Sequence, residues 1–147
     1  FSTLLLLMNS IGAVGHPKQL RRFLQQVHTQ TGPSCQVLLD VSAPDWPAVH
    51  QAAQRQRQPL VPKSFVDREW VTLQCWLSCG AACGETFPLL FAEPRTVAAV
   101  AAEAGWRASP AFMEGADQQH ALLQLHKDEG AGGAEAAGPP WQRRRSS

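Results

Sequence analysis

The first hundred residues alternate between apolar blocks and segments of helical periodicity. Continuous apolar runs at Leu4–Met8 and Val37–Val41 predict buried strands, because a strand covered on both faces has no polar alternation. Between them, Lys18–Thr29 is predicted to be a helix that ends before Gly32, since its apolar residues recur every three to four positions. That apolar stripe consists of Leu20, Phe23, Leu24 and Val27.

Further along, Asp45 is a natural N-cap for a helix over Ala48–Gln54. The later segments add a short strand at Pro59–Pro62, a helix carrying Val66, Trp70, Leu73 and Leu77, a strand at Phe87–Phe91 and a helix at Thr96–Ala104. This order predicts an α/β fold with a small parallel β-sheet flanked by helices.

The pattern divides the chain into three parts. Residues 1–105 are expected to form the α/β domain. Residues 106–127 are expected to be a partly helical extension, with an amphipathic helix over 116–127. Residues 128–147 are rich in Gly, Ala, Glu and Pro and bury too little apolar surface to offset their ordering entropy, which predicts a disordered tail.

Composition narrows the class of protein. The 147 residues carry 13 Lys and Arg against 12 Asp and Glu, and this balance argues against a nucleic-acid surface. No apolar run reaches the ~18 residues of a membrane span, and no secretory leader is evident. Because the chain starts at Phe1, we expect a fragment. Four cysteines do not form a disulfide framework, so a reducing compartment, nuclear or alternatively cytoplasmic, is expected.

The candidate chemistry is sparse. On a continuous helix, Cys75, Cys79 and Cys83 would share one face, but a zinc site needs a fourth ligand. We therefore interpret these cysteines as small apolar residues at a helix end and predict no metal. The segment Gly12–Lys18 lies between a strand and a helix, where phosphate-binding loops occur, but it lacks their glycine spacing. We therefore interpret it as a flexible connection between strand and helix and predict no cofactor.

A catalytic set of Ser10, Asp40 and His16 near the strand ends lacks a G-x-S-x-G elbow. No catalytic residue is therefore predicted.

Residues 1 to about 80, with a core at about 1–84, resemble a BRCT domain. The order of elements is similar, and Pro59–Val66 (PLVPKSFV) is similar to the family segment P-V-V-S-x-x-W-hydrophobic, with Phe65 at the tryptophan position. The resemblance implies that a fragment ending near Gly84 folds alone. It places in the core Leu5, Leu7, Leu24, Val37, Leu39, Leu60, Phe65 and Trp70.

The resemblance also implies a function. It suggests a non-enzymatic scaffold in a nuclear DNA-damage or cell-cycle assembly, with a protein or phosphoprotein partner. Ser10, Gly12 and Lys63 are then the candidate peptide-binding residues. No lysine lies between Lys18 and Lys63, so the family's phosphate-binding lysine has no counterpart, and a phosphate pocket of the usual kind is not expected.

A second hypothesis is a fragment of a doubly wound α/β enzyme or nucleotide-binding domain. Its site would lie at the strand ends, near Asn9–Gly15 and Asp40–Ser42, and it requires Phe87–Phe91 as a fourth parallel strand. A third is a poorly folding product.

Overall fold

The computed structural model describes residues 2–49, 51, 70–114 and 120–128. In chain order the elements are β1 (Thr3–Leu6), a 3-10 helix (Ser10–Val14), α1 (Pro17–Gln30), β2 (Gln36–Ser42), β3 (Trp70–Cys75), β4 (Ser78–Cys79), β5 (Ala82–Cys83), β6 (Phe87–Ala92), α2 (Pro94–Glu103), β7 (Trp106–Glu114) and β8 (His120–Lys127). Residues 46–49 and 51 are also helical. A four-stranded sheet has the order β1-β2-β8-β7. No helix in these ranges is both long and apolar enough to cross a bilayer.

The helix expected over Lys18–Thr29 is confirmed as α1. The side chain of His16 caps it, because the ring Nδ1 accepts a hydrogen bond from the Lys18 backbone N–H at 3.1 Å. Pro17 occupies the first turn, where its missing N–H has no intrahelical partner to lose. Since α1 carries the chain from β1 back to the start of β2, these two strands are parallel.

The C-terminal strands correct two predictions. Strand β8 is antiparallel to both of its neighbours, β2 and β7, so the sheet is mixed rather than parallel. The helix expected over 116–127 is wrong where the structure describes it, because residues 120–127 form β8 with Ala121, Leu123 and Leu125 buried in alternation. A short apolar run is compatible with a helix or a strand, and here the pairing with β2 stabilises the strand. The coarser prediction, an α/β chain with a sheet flanked by helices, is confirmed.

Strands β3 and β6 form a separate antiparallel ribbon. The helix expected through Trp70 is wrong where the structure describes it, since Trp70–Cys75 is β3. The β-branched Val71 and Thr72 favour a strand there. The strand expected at Phe87–Phe91 is confirmed in β6. It lies outside the main sheet, as the BRCT-like hypothesis required, but neither hypothesis anticipated its pairing with β3. The second hypothesis required it as a fourth parallel strand, and that prediction is wrong.

The core of the described residues lies between the sheet and the helices α1 and α2. Its largest fully buried side chain, Trp106, donates its Nε1–H to the carbonyl of Leu24 at 3.0 Å. Gly105, with a φ of 87°, turns the chain from α2 into β7, which begins at Trp106. The indole therefore ties β7 to the middle of α1.

Predicted core positions divide into three groups. Leu24, Val37 and Leu39 are buried, as expected, and Trp70 is half-buried. The prediction is wrong for Leu5 and Leu7, whose exposed fractions are 57% and 48%. The remaining two, Leu60 and Phe65, lie outside the described residues, as do the strand at 59–62 and the parts of the two expected helices at 52–54 and 64–69.

The sheet order bears on the predicted domains. Residues 106–114 and 120–127 are strands of the same sheet as β1 and β2, so the described residues of the expected extension are not helical. A fragment ending near Gly84 would lack β8, which pairs along the whole of β2, and this argues against its independent folding. The boundary at 105 stays a prediction, and the expected disordered tail lies outside the described residues from 129 onward.

Candidate functional site

The loop that follows β1 is held in an unusual backbone conformation. Met8 and Asn9 both have positive φ, 61° and 51°, in the left-handed region that non-glycine residues seldom adopt. Their backbone N–H groups point to the same side and donate to the two carboxylate oxygens of Asp40, at 2.8 and 2.6 Å. Successive amides in this arrangement form a small anion-binding concavity, and the side chain of Asp40 fills it.

The loop continues as the 3-10 helix and lies directly against β6. A Cβ on Gly12 would lie 2.6 Å from the backbone oxygen of Leu90, so no other residue fits without movement of the ribbon. Gly15 has a φ of 73°, and a Cβ there would contact Pro88 at 3.0 Å. These two glycines therefore allow the close approach of loop and ribbon.

Three further contacts fix the ribbon over the loop. Asn9 donates its Nδ2–H to the Leu90 carbonyl at 3.3 Å. Thr72 donates its hydroxyl to the Gly15 carbonyl at 2.6 Å. The ring of His16 meets Trp70 edge-to-face, with 4.9 Å between the centroids. The ribbon thus covers the carboxyl end of β1.

His16 has a defined protonation state in this setting. Its Nδ1 accepts the capping hydrogen bond from the Lys18 amide, so the neutral ring carries its proton on Nε2. Burial, and secondarily the charge of Lys18, lower the pKa of His16 below its usual value of 6.5. At neutral pH the ring is uncharged.

The end of β2 lies at the same edge of the sheet. Ser42 contacts His120 across the strand pair, with 3.2 Å between Oγ and Nδ1. Asp45 accepts from the Ala48 amide at 3.1 Å and is thus the N-cap that the sequence predicted. Both polar groups lie at the carboxyl edge, where ligands bind in open α/β sheets.

The structure separates the candidate catalytic residues. Both oxygens of Asp40 accept from backbone amides, and Nδ1 of His16 accepts from a backbone amide rather than donating to a carboxylate. Ser10 is exposed at the start of the 3-10 helix. This is not the arrangement of a serine–histidine–aspartate triad, whose histidine Nδ1–H donates to the carboxylate.

The candidate peptide-binding residues are placed only in part. Ser10 is exposed, and the buried Gly12 packs on Leu90. Lys63 lies outside the described residues, so the peptide-binding role of this set stays a prediction.

The three clustered cysteines do not share a helix face. Cys75 ends β3, and Cys79 and Cys83 lie in the β4–β5 hairpin. Across the described ranges, no three His, Cys, Asp or Glu side chains are grouped so that they could hold a metal ion.

Sequence reasoning missed how these parts combine. It named Asn9–Gly15 and Asp40–Ser42 as strand-end segments, and the structure does bring Asn9 and Asp40 together. It missed the role of Thr72, because β3 was expected to be a helix, and that of Leu90, because the packing of β6 on the loop is a long-range contact. The β-branched pair at 71 and 72 was the available signal.

No protein-family model matches the sequence, and no curated protein matches it significantly. Solved structures do match the fold. A SAM-dependent methyltransferase from Bacteroides fragilis, in complex with S-adenosyl-L-homocysteine, superimposes with a TM-score of 0.55 and 22% identity, covering 86% of this chain and 48% of that one.

Two further structures agree with this match. A SAM-dependent methyltransferase from Clostridium acetobutylicum gives a TM-score of 0.51 at 6% identity, covering 86% of this chain and 58% of that one. The CcbJ methyltransferase from Streptomyces caelestis gives 0.50 at 13% identity, with 86% and 57% covered.

These neighbours overturn the BRCT resemblance and the hypothesis built on it. The matched structures are methyltransferases, so the expectations of a BRCT-like, non-enzymatic scaffold of the DNA-damage response are wrong. The second hypothesis, a fragment of an α/β enzyme or nucleotide-binding domain, agrees better, although its fourth parallel strand is absent from the described sheet. The chain spans about half the length of these structures and has the fold of SAM-dependent methyltransferases over that part.

Proposed function

We propose that this chain is part of an enzyme that transfers a methyl group from S-adenosylmethionine (SAM) to an acceptor. The observation that carries the proposal is the match of 86% of the chain to a SAM-dependent methyltransferase, with a TM-score of 0.55. The reacting edge would be the carboxyl end of β1 and β2, because ligands of open α/β sheets bind there.

The loop 8–16 is suited to that position because it is held on three sides. Asp40 binds it from β2, the ribbon covers it from above, and α1 begins immediately after it at the His16 cap. A loop with these constraints presents its groups in one geometry, which is the requirement for aligning an acceptor with a methyl donor. Asp40 is a positioning residue in this scheme, since its two oxygens are occupied by the amides of Met8 and Asn9.

The described residues do not themselves form a cradle for SAM. Gly12 and Gly15 are closed by Leu90 and Pro88, so their backbone is not open to a ligand. Both carboxylate oxygens of Asp40 already accept hydrogen bonds from backbone amides, so Asp40 is not directed at a ligand. We therefore propose that this part of the chain shapes one side of the site and that other residues make most of the cofactor contacts.

The experiment is a titration of the chain with S-adenosyl-L-homocysteine, followed by the amide NMR signals. The proposal predicts shifts in 8–16 and 40–45, at the carboxyl edge, and none in 32–36, at the opposite edge. Binding is expected to be weak, because only one side of the site is in place. Unchanged signals in 8–16 at saturating ligand would contradict it.

A parallel titration with ATP is the control for the nucleotide-binding alternative. Both compounds contain adenosine, so equal shifts would indicate recognition of the nucleoside alone. Shifts with ATP and none with S-adenosyl-L-homocysteine would favour that alternative. These titrations do not test nuclear localisation or a protein partner, which stay predictions.

A further inference from the structure

The β4–β5 hairpin extends the β3–β6 ribbon but is one residue out of register with it. The last pair of the ribbon is Cys75 opposite Phe87. The first pair of the hairpin is Ser78 opposite Cys83, so two residues separate the paired segments on one strand and three on the other. The additional residue makes a β-bulge at the junction.

The register of the ribbon, continued through this junction, would bring two cysteines together. Each step along one strand is matched by a step back along the other, so four steps beyond Cys75 and Phe87 the pair would be Cys79 opposite Cys83. In the structure Cys79 instead lies opposite Ala82. Because opposite residues share a face and successive residues alternate, the two thiols lie on opposite faces of the hairpin and cannot bond to each other.

The observed register of the hairpin is weakly specified. All four paired residues are exposed, so a shift by one residue moves no side chain out of a core. A two-residue loop with a φ of 59° at Gly80 closes the hairpin, and the Gly84 N–H donates to the Leu77 carbonyl at 2.8 Å. In the register of the ribbon the loop would have three residues, Gly80–Ala82, which is also a common hairpin length.

We propose that Cys79 and Cys83 form a reversible disulfide, and that its formation shifts the hairpin by one residue into the register of the ribbon. Directly opposite residues of an antiparallel pair have Cα atoms ~4.5–5.5 Å apart, within the range that a disulfide spans. Both thiols are free and exposed, so a small molecule can reach them. Cys75 is four positions from Cys79 along the strand, ~13 Å, which is too far for a disulfide.

The oxidant is a small-molecule disulfide, and oxidised glutathione is the probe. The thiolate of one cysteine attacks a glutathione sulfur, the glutathione S–S bond breaks, and one glutathione leaves as its thiolate. The thiolate of the other cysteine then attacks the mixed disulfide, forms the bond between Cys79 and Cys83, and releases the second glutathione. Two electrons pass from the cysteines to glutathione, and the released thiolates take up the two thiol protons. Reduced glutathione reverses the exchange, so the pair is a switch rather than a permanent crosslink.

The switch lies on the element that covers the loop after β1. The ribbon is held to that loop through Thr72 and Leu90. A bulge bends and twists its strand, so removal of the bulge redirects the hairpin relative to the loop. The proposal is independent of methyl transfer, because it uses only the register of the hairpin and its two thiols.

The test treats the complete chain with oxidised glutathione, alkylates the remaining thiols under denaturing conditions and measures the mass. The wild type is expected to lose two alkylation sites, Cys79 and Cys83, and to retain no glutathione. Cys79→Ser and Cys83→Ser should each abolish the intrachain disulfide, whereas Cys75→Ser, the matched control in the same ribbon, should form it as the wild type does. A stable glutathione adduct of the wild type, a bond that includes Cys75, or a bond between two copies overturns the proposal.

Backbone NMR of the wild type tests the register without any substitution. Nuclear Overhauser contacts between facing backbone protons should join Cys83 to Ser78 in the reduced chain and to Cys79 in the oxidised chain. Dithiothreitol should restore the first pairing. A disulfide that leaves Cys83 opposite Ser78 overturns the proposed shift.

Discussion

At the scale of single residues, the carboxylate of Asp40 holds the loop after β1 in a conformation that its own sequence disfavours. A left-handed backbone costs of order 1 kcal/mol or more for a residue such as Met8, whereas Asn9 tolerates it better. Two charge-assisted hydrogen bonds, at 2.8 and 2.6 Å, offset that cost. The loop geometry is therefore determined by a residue more than thirty positions away.

Asp40→Asn tests this role. An amide side chain accepts from one of the two N–H groups and turns its own donor toward the other, so we expect the free energy of unfolding to fall by about 1–3 kcal/mol. Chemical denaturation measures it. Asp45→Asn is the control, because asparagine caps a helix as well as aspartate does. Equal losses in both variants would mean that the Asp40 contacts have no special role.

His16 gives the loop a pH dependence. Its pKa is lowered in the folded protein, so between that value and 6.5 the unfolded chain binds the proton and the folded chain does not. The contribution of His16 to stability is complete above pH 6.5 and falls as the pH drops through 6.5 toward the lowered value. Thermal unfolding at a series of pH values should show this decline, and His16→Asn, which keeps a capping oxygen, should reduce it. A decline unchanged in His16→Asn would assign it to other groups.

At the scale of elements, the sequence predicted helix α1 and strand β6 correctly but predicted helix where β3 and β8 are strands. Helix α1 has a capping residue, a proline in its first turn and one apolar stripe, all local features. Strand β8 is a short apolar run that is compatible with helix or strand periodicity, and in β3 only the β-branched pair Val71 and Thr72 favours a strand. Their conformation is determined by partners distant in sequence, β6 and β2, which no local pattern reveals.

The 3-10 helix packs closely against β6 at Gly12, and Gly12→Ala tests this contact. The added Cβ would lie 2.6 Å from the Leu90 oxygen, a backbone atom that moves only with the ribbon. We expect a loss of about 1–3 kcal/mol in unfolding free energy and faster hydrogen exchange in β6. Gly32→Ala, where a Cβ meets nothing within 4 Å, is the control and should change little. A neutral Gly12→Ala would show that the ribbon is not fixed on the loop.

At the scale of the whole molecule, the sheet order explains why the first half of the chain resembled a BRCT domain although the fold is a different one. The sequence predicted β1, α1 and β2 correctly, but a parallel pair with one crossover helix belongs to many α/β folds, BRCT domains included. What distinguishes this fold is the insertion of β8 between β2 and β7, which joins the segment 36–42 to the segment 120–126. The candidate site also depends on residues distant in sequence, since Asn9 bonds to Leu90 and Gly15 bonds to Thr72.

A fragment ending at 105 provides the last test, because it keeps every element of the predicted α/β domain and removes β7 and β8. It would leave the β8 edge of β2 unpaired along its whole length, beside the buried Val37, Leu39 and Val41, and delete the Trp106 indole from the core. Burial of such side chains contributes ~1.5–3 kcal/mol each, so the summed loss is comparable with the whole stability of a domain, ~5–15 kcal/mol. We expect the fragment to lack a cooperative thermal transition, measured by circular dichroism, while the chain ending at 128 melts cooperatively. Cooperative melting of the shorter fragment would instead restore the domain boundary at 105 and make the β7–β8 hairpin an appendage of the fold.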